Sequence, residues 1–388
     1  MESRTTVAVT PVPRERLTVG GAGMAGLCAA VRARQLGADV TVLEKGTRPG
    51  GSMLLSSCVI WRHRSFEDFR SECPGGDPAL QWLVWERLDE ALVWLESVGV
   101  PVLARETGNP RTVGWRFDPR GLTRALARAA GDIRLNTSFD STPPEPPLLL
   151  ATGGFQGSGE LVARFIRPAG SLLLRANGWS AGDGLLFALG RGGALSPGMH
   201  EFYGRALPAP PAAVTEDRFV DLAQLYGRHA LVVDETGERF APEPVSWSEV
   251  DLVQAMAHRP AARAWYVVDE PTLALRVRDR TVADMVEAAR HAGGTVLHAA
   301  KLPFRLPTCS RLAVHVTAAI THTIGGVRVD ERARVVREDG APVDGLYAAG
   351  ADAGGVATGG YASGLAAALV LALVAAEEVA AVSGATGA

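Results

Sequence analysis

The pattern of apolar and polar positions along the chain predicts an α/β protein. A short apolar run at residues 17–19 is followed by a helical pattern over residues 24–35 and an alternating pattern over residues 40–43, which predicts strand, helix and strand in succession. Apolar residues at helical spacing predict one long helix over residues 66–98, and an uninterrupted apolar run predicts a buried strand at residues 148–150. Strands that alternate with helices indicate a parallel sheet.

The last apolar segment, residues 364–382, is long enough to cross a bilayer. Glu377 and Glu378 interrupt it, and its first part is rich in alanine. We therefore predict a core helix that packs closely on its neighbours rather than a membrane span.

Composition narrows the class of protein. The 388 residues are 47% apolar and 21% charged, with a net charge of -3. These values fit a globular protein of about two domains and give no basic footprint for nucleic acid. Residues 1–14 contain no apolar core of signal-peptide length, so we expect a cytoplasmic location. The four cysteines have neither metal nor redox spacing, and no metal site is predicted.

A change in composition predicts how the domains are arranged. After the prolines at residues 208–211 the chain becomes more charged and carries short predicted strands and helices, and glycine-rich apolar sequence returns from about residue 313. We interpret this as a smaller domain inserted into a larger one. The predicted boundaries are 14–204 for the first part, 205–310 for the insertion and 311–388 for the second part.

The glycine-rich turn between the first predicted strand and helix is a candidate dinucleotide-binding motif. Gly21 permits the tight turn, Gly23 lets the backbone approach a pyrophosphate, and Gly26 lets the helix pack closely on the strand. The start of the helix offers unpaired amides to the phosphates. Glu44, at the end of the second strand, is placed to accept ribose hydroxyls. The alternative is an ordinary strand–helix–strand unit that binds no nucleotide.

Further candidate contacts with the nucleotide follow the neighbouring predicted strands. A double glycine before Ser52 allows another near approach of backbone to ligand, and the strand at residues 148–150 also leads into glycines. Asp183 stands near the start of a predicted helix. This part of the cofactor set therefore also contains Met24, Ala25, Lys45, Gly50, Gly51, Ser52, Ala151, Thr152, Gly153 and Asp183.

Three segments near the C-terminus complete a recognisable set of motifs. They are residues 321–330 (THTIGGVRVD), 345–352 (GLYAAGAD) and 359–365 (GGYASGL). Together with residues 16–51 and 151–155, they make a sequence that resembles the FAD-dependent fumarate reductase and 3-ketosteroid dehydrogenase superfamily over nearly its full length. Two shorter segments are similar to that family's cap region, at residues 199–204 and 237–240.

The resemblance implies a flavoprotein with FAD as its cofactor. It implies an α/β fold in which a Rossmann-like FAD-binding domain (GR2-type) is built from both chain ends, and a smaller α+β cap domain is inserted. Asp352 would accept ribityl or ribose hydroxyls, and the helix that begins near Ser363 would direct its positive end at flavin N1 and O2. The implied contacts here are Gly350, Asp352, Ser363, Gly364 and Leu365.

Two departures from the family pattern concern the substrate. Residues 136–148 form only a proline-rich connector where relatives carry several strands. Tyr361 stands where fumarate reductases carry an arginine that clamps a carboxylate. Their proton-donating arginine is expected near Leu273, but no arginine stands there and Arg276 is the nearest. A tyrosine at the clamp position is similar to the ketosteroid dehydrogenases. We therefore expect a small, neutral ketone rather than a dicarboxylate.

Four residues are candidates for catalysis. His322 matches the family's substrate-side histidine, which would donate a hydrogen bond to a carbonyl or move a proton. Tyr361 would polarise a carbonyl oxygen and acidify the adjacent C–H. Tyr203 lies where the cap is expected to meet the flavin and is a candidate base, and Arg205 falls close to a substrate-contacting histidine of relatives. The structural alternative is that these side chains only pack or bond to backbone.

The leading functional hypothesis is an FAD-dependent dehydrogenase or desaturase that acts on a C–C bond next to a carbonyl group. The same site run backwards is an ene-type reductase. Two alternatives are a flavin-dependent oxidase or hydroxylase, and a protein that holds FAD without turnover. The direction of the reaction, the electron acceptor and the oligomeric state stay open at this point.

Overall fold

A computed structural model describes residues 16–138, 144–168, 170–306 and 312–386. The predicted lead-in, part of the proline-rich connector and Cys309 lie outside these described residues. The strands are β1 Arg16–Gly20, β2 Asp39–Leu43, β3 Val59–His63, β4 Val102–Ala104, β5 Thr112–Phe117, β6 Asp132–Arg134, β7 Leu148–Leu150, β8 Leu173–Leu174, β9 Phe202–Pro208, β10 Leu231–Val233, β11 Arg263–Val268, β12 Arg276–Val277, β13 Arg280–Thr281, β14 Val296–His298, β15 Leu312–Thr323, β16 Arg334–Val336 and β17 Pro342–Ala348. The α-helices are α1 Met24–Gln35, α2 Phe66–Glu72, α3 Pro78–Ser97, α4 Pro119–Ala130, α5 Gly159–Phe165, α6 Asp183–Gly190, α7 Val250–Ala257, α8 Glu270–Ala274, α9 Val282–His291 and α10 Gly364–Thr386.

The main sheet is built from both ends of the chain. Its strand order is β16-β17-β7-β1-β2-β6, and all neighbours are parallel except the edge pair β16 and β17. The N-terminal strands β1 and β2 therefore lie in one sheet with β17, which comes some 300 residues later. Strands β1, β7 and β17 end side by side, because Gly20 pairs with Leu150 and Leu150 with Ala348. Ligands bind at such carboxyl ends of parallel strands.

The C-terminal helix α10 is a core helix of the protein. By length and composition, Gly364–Val382 passes the test for a membrane span, but it packs against α1 and α3 and is largely buried. The charge of Glu377 is stabilised within this helix, because Arg32 and Arg87 each donate a hydrogen bond of 2.8 Å to its carboxylate. Burial would raise the pKa of Glu377, but these two guanidinium groups lower it. The charge that interrupts the apolar run is thus neutralised inside the protein.

The helix predicted over residues 66–98 is two helices, and the prediction of one continuous helix is wrong. Helix α2 ends at Glu72 and α3 begins at Pro78, because Pro74 and two glycines interrupt the helical pattern. Asp77 then starts α3 by accepting the backbone N–H of Ala79 at 2.9 Å. The break has a structural role, because the backbone N–H of Asp77 donates to the carbonyl of Gly355 at 2.8 Å.

The second layer of the molecule, which we call the cap, is centred on β15. The cap sheet has the order β10-β11-β15-β14, and β8 and β9 also pair with β15. Helices α7 and α9 pack against it. Strand β9 begins at Phe202 and so crosses the expected boundary between residues 204 and 205, whereas β15 ends at Thr323 and belongs to the cap sheet although it lies wholly within the expected second part. These two strands carry the cap sheet directly into the cofactor end of the molecule.

We predict that Gly26→Ala destabilises the fold. A Cβ atom at Gly26 would lie 1.8 Å from the carbonyl oxygen of Gly21, which is backbone and cannot move aside. Such overpacking should lower the free energy of unfolding by about 1–3 kcal/mol, measured by urea denaturation. Gly159→Ala is the control, because nothing lies within 4 Å of its Cβ position, and it should change stability by less than about 0.5 kcal/mol. Equal stability of the two variants would contradict the close helix–strand contact.

Candidate functional site

A large cavity lies between the main sheet and the cap. Its volume is about 1150 Å³. One side is lined by the ends of β1 and β2, the segment after β7 and the start of α10, and the other side by β9, β15 and the hairpin of β12 and β13. Residues from both chain ends and from the cap therefore face the same space.

The glycine-rich turn has the form that a dinucleotide requires. Gly21 has a φ of +107°, and a Cβ there would lie 2.2 Å from the carbonyl oxygen of Ala151. Gly23, in contrast, has nothing within 4 Å of its Cβ position and lines the cavity. The backbone at Gly23 is therefore open to a phosphate at the start of α1. Gly26, the third glycine of the motif, permits the close contact between helix α1 and strand β1.

Glu44 is held at the end of β2 with its carboxylate facing the same turn. It accepts the backbone N–H of Ala22 at 2.7 Å and that of Gly46 at 2.6 Å, and only 6% of it is exposed. Next to it, Lys45 donates to Asp183 at 2.8 Å. Each oxygen of Glu44 keeps a further lone pair for a ligand hydroxyl, so the geometry is compatible with the predicted ribose contact.

Most of the predicted cofactor residues line the cavity. They are Gly21, Gly23, Met24, Ala25, Glu44, Lys45, Gly51, Ser52, Ala151, Thr152, Gly153, Asp183, Gly350, Ser363, Gly364 and Leu365. Three of the predicted set do not line it: Gly26, Gly50 and Asp352. Gly26 and Gly50 act through the backbone, since Gly50 adopts a φ of +114° at the turn that leads to Gly51.

Asp352 requires a correction. We expected its carboxylate to accept hydroxyls of the cofactor, but it is fully buried. It accepts the backbone N–H and the hydroxyl of Thr152 and, at 2.9 Å, the backbone N–H of Gly154. Burial raises the pKa of Asp352, and these hydrogen bonds oppose that rise. The residue therefore joins the C-terminal segment to the end of β7 and does not face the cavity.

The start of α10 presents polar groups to the cavity. Ser363 precedes the helix and accepts the backbone N–H of Ala366 on its hydroxyl at 3.3 Å. Gly364 and Leu365 come next and line the cavity, and amides in the first turn of a helix have no intrahelical partner. Gly364 also lies close to the cap, because a Cβ there would lie 3.0 Å from the ring of His322.

Two buried polar atoms indicate that the cavity is built for a polar ligand. Gln156 Oε1 and Thr323 Oγ1 have no hydrogen-bond partner among the described residues, and both residues line the cavity, with these two atoms beside Gly154. Unpaired buried groups of this kind cost free energy unless a ligand satisfies them. Together with the open backbone at Gly23 and the free amides of α10, they fit a cofactor with phosphates at one end and a polar ring system at the other.

The predicted catalytic residues come together on the cap side. Tyr203 and Arg205 are two residues apart on β9, so their side chains share one face of the cap sheet. His322 on β15 pairs directly with Tyr203, after an irregularity in the register between Ile320 and His322. The rings of Tyr203 and His322 are 5.0 Å apart. The register of two antiparallel strands thus places the three side chains in one group.

Tyr361 reaches this group from the other chain end. It lies in the loop before α10, and its ring stacks on that of Tyr203 with centroids 5.0 Å apart and planes 16° apart. His63 Nε2 lies 3.1 Å from the carbonyl oxygen of Tyr361. Burial lowers the pKa of His63, which keeps it a neutral donor to that carbonyl. Gly360 allows the loop to pass close to α2, because a Cβ there would lie 1.7 Å from the carbonyl oxygen of Glu72.

Sequence reasoning missed two tryptophans of the same cluster. Trp61 on β3 lies 5.1 Å from the ring of Tyr361, and Trp247 of the cap lies 5.5 Å from it. Trp247 is anchored across the cleft, since its Nε1 donates to Glu72 at 2.9 Å. We call Trp61, Tyr203, Trp247 and Tyr361 the aromatic cluster. Nothing in the local sequence distinguishes these two tryptophans from packed core residues.

The pKa values of the two stacked tyrosines in the aromatic cluster are shifted in opposite directions. Burial would raise the pKa of Tyr203, but the charges of Arg205, Arg175 and Arg278 lower it to about 8. Burial raises the pKa of Tyr361, and the negative charge of an ionised Tyr203 raises it further. One hydroxyl is therefore poised to lose a proton near neutral pH, and its stacked neighbour keeps its proton. This is the division expected of a base and a hydrogen-bond donor.

His322 remains neutral at physiological pH. Burial, followed by the charge of Arg175, lowers its pKa to about 4. It is therefore available as a hydrogen-bonding group but carries no charge between pH 6 and 8. His322 lies in the cavity wall, and its place on the substrate side stays a prediction.

The sequence as a whole matches a known family of flavoproteins. Residues 17–140 and 146–384 match the family model described as an FAD binding domain. The chain belongs to the FAD binding domain family. FAD is accordingly its cofactor, and the predictions of FAD and of an α/β flavoprotein fold are confirmed. The residues at both chain ends that line the cavity are those that would hold it.

Named relatives of this flavoprotein agree with that assignment. It is 24% identical over 424 residues to a probable fumarate reductase of Shewanella frigidimarina (strain NCIMB 400), covering 89% of this chain and 71% of the relative. Its fold matches 3-ketosteroid Δ1-dehydrogenase of Sterolibacterium denitrificans at a TM-score of 0.70 and 15% identity, covering 94% of this chain and 99% of that one. It also matches 3-ketosteroid-Δ4-(5α)-dehydrogenase of Rhodococcus jostii RHA1 at 0.67 and 19%, covering 98% and 100%. The resemblance seen in the sequence is confirmed, and with it the class of an FAD-dependent oxidoreductase.

We predict that Tyr203 titrates near pH 8 in this flavoprotein. Its hydroxyl is protonated below its pKa of about 8 and is a tyrosinate above it. A difference titration of tyrosinate absorbance, wild type minus Tyr203→Phe, should show a single ionisation with that midpoint. Tyr226→Phe is the control, because burial raises the pKa of Tyr226 and its removal should leave the titration unchanged. A midpoint for Tyr203 at or above pH 10, the ordinary range for tyrosine, would contradict the electrostatic account.

Proposed function

We propose that the protein is an FAD-dependent dehydrogenase or desaturase, or the reverse ene-type reductase, that acts on a C–C bond next to the carbonyl of a small ketone-type substrate. The observation that carries the proposal is the stacked pair of Tyr203 and Tyr361. The two hydroxyl-bearing rings lie 5.0 Å apart in the cavity wall, and their pKa values are shifted in opposite directions. Such a pair supplies both a proton acceptor and a proton donor to one substrate.

Tyr361 is proposed to bind the substrate carbonyl. Its raised pKa keeps the hydroxyl protonated, so that it donates a hydrogen bond to the carbonyl oxygen. This hydrogen bond strengthens as negative charge develops on that oxygen and acidifies the C–H bond next to it. His63 holds the backbone of Tyr361 in place through its contact with the carbonyl oxygen of that residue.

Tyr203 is proposed to move the proton. In the direction of desaturation, the tyrosinate accepts the proton from the carbon next to the carbonyl, and a hydride leaves from the following carbon as the double bond forms. Bound FAD supplies the acceptor of that hydride at N5, or its donor in the reverse reaction. Arg205 lies over the ring of Tyr203 at 5.0 Å and stabilises its ionised form. His322, neutral and 5.0 Å from the same ring, is proposed as a further donor to the substrate.

We predict that Tyr203→Phe and Tyr361→Phe lose activity but keep FAD. Loss of the base should lower turnover about 10²–10⁴-fold, and loss of the carbonyl donor about 10²–10³-fold. The measurement is anaerobic bleaching of the bound flavin by a panel of saturated ketones, with reoxidation by the matching enones. In the wild type, the rate of desaturation should rise with pH through about 8, because the base must be ionised.

The matched control for this experiment is Tyr226→Phe, since Tyr226 is buried in the cap and does not line the cavity. It should react like the wild type. Normal turnover by both cavity variants would refute the assignment of the site. A flavin that no carbonyl compound reduces or reoxidises would refute the reaction itself, and rapid reoxidation by oxygen with release of peroxide would favour an oxidase instead.

A further inference from the structure

Arg205 carries a guanidinium group that the described protein does not fully satisfy. Only 4% of the residue is exposed. Its Nη1 donates to the carbonyl oxygen of Ser248, but its buried Nη2 has no hydrogen-bond partner among the described residues. The group lines the cavity, with its central carbon 5.0 Å from the ring of Tyr203 and 5.5 Å from that of Tyr361. A buried cation with an unused donor is costly unless something in the cavity accepts from it.

Two further arginines bring positive charge to the same place. Arg175 is 9% exposed and is held by hydrogen bonds to Thr321 Oγ1 at 3.1 Å and to the carbonyl oxygen of Phe219 at 3.3 Å. Arg278 stands at the turn between β12 and β13 with a φ of +58° and lines the cavity mouth. The charges of Arg205 and Arg278 both act on Arg175, so the three groups form one electropositive region.

The acidic side chains of the cavity wall do not balance this region. Residues 203–280 contribute five arginines and three acidic residues to the wall, and Arg175 adds a further cation. Of the acids, Glu249 is the buried one, at 4% exposed. Its carboxylate accepts the backbone N–H of Arg228 at 3.0 Å, and burial raises its pKa. Asp221 and Asp279 are exposed, as are Arg228, Arg276 and Arg278, and solvent screens all of these charges. The excess of positive charge is therefore clearest among the buried groups, where Arg205 and Arg175 face Glu249.

We propose that Arg205, with Arg175 and Arg278, forms an anion subsite that binds a carboxylate on the substrate. The inference rests on the proposed function and names its substrate class: a cyclic ketone that carries a carboxylate separate from the reacting carbonyl. A carboxylate accepts from a guanidinium through charge-assisted hydrogen bonds and would satisfy the unused Nη2. Trp61 and Trp247 line the cavity, and their indole rings offer flat apolar surfaces on which the ring of such a substrate can pack.

This subsite replaces the neutral substrate expected from the sequence. That expectation followed from the tyrosine at position 361, where related reductases carry an arginine. The positive charge of this cavity comes from other elements, namely β9, the segment after β8 and the hairpin of β12 and β13. The carboxylate is thereby bound from the cap side, next to the stacked tyrosines.

The test compares two probes that differ only in charge, 3-oxocyclohexane-1-carboxylate and its methyl ester. Each is titrated into the FAD-bound protein, and the dissociation constant is read from calorimetry and from the flavin difference spectrum. The carboxylate should bind at least about tenfold more tightly than the ester. Arg205→Met should remove this preference, Arg205→Lys should keep part of it, and Arg278→Met, on an exposed hairpin, should reduce it.

The control is Arg290→Met, because Arg290 is a cap arginine on the outer surface that pairs with Glu287 and does not line the cavity. It should keep the full preference. Equal binding of the two probes, equal weakening of both by Arg205→Met, or no binding of the carboxylate at millimolar concentration would overturn the subsite. Binding with the expected preference but no bleaching of the flavin by either probe upholds the subsite and counts against the proposed reaction. Bleaching of the flavin by both probes, with equal affinity for the two, upholds the proposed reaction and overturns the subsite.

Discussion

The buried carboxylate of Asp352 is the contact on which the cofactor end of the molecule depends. It joins the segment after β17 to the segment after β7 through three hydrogen-bond donors, and a carboxylate taken out of water needs such partners. This contact extends the pairing of β17 with β7 beyond the ends of the strands. It fixes where the chain turns toward the loop that carries Tyr361 and the start of α10.

The cap sheet reaches this frame through two of its own strands, β9 and β15. Strand β15 forms the centre of the cap sheet and ends at Thr323 in the cavity wall. Its pairing with β9 sets His322 opposite Tyr203, and the neighbouring loop stacks Tyr361 on Tyr203. The arginines of the cap then act on a cluster whose geometry is already fixed. One electropositive region can therefore both lower the pKa of Tyr203 and attract an acidic substrate.

The sequence predicted those features that depend on neighbours in the chain. Helix α1 has the predicted bounds, and the roles of Gly21, Gly23 and Gly26 could be read from the turn itself, because each follows from local backbone geometry. The break at Pro74 was visible in the sequence, but the apolar pattern on both sides of it favoured one helix. The membrane-like segment was correctly predicted as a core helix from its two glutamates.

The remaining features depend on contacts between distant residues. Asp352 was expected to face the cofactor, since its segment resembles a cofactor motif, but the burial of its carboxylate is decided by Thr152 and Gly154, some 200 residues away. Arg175 and Arg278 carry no motif, and only the pairing of β8 with β15 and the position of a hairpin bring them to the cavity. The pattern of residue types along the chain therefore could not predict that these arginines lie in the cavity wall.

A crystal structure of the purified yellow protein tests the central claim most directly. That claim is that both chain ends hold one FAD, and that Tyr203 of the cap and Tyr361 of the loop before α10 lie beside its reactive ring. The account predicts density for the adenosine end beside Glu44 and for the flavin ring at the start of α10, within reach of both tyrosines. A protein without flavin, or a flavin whose ring lies away from α10 and the aromatic cluster, would contradict it.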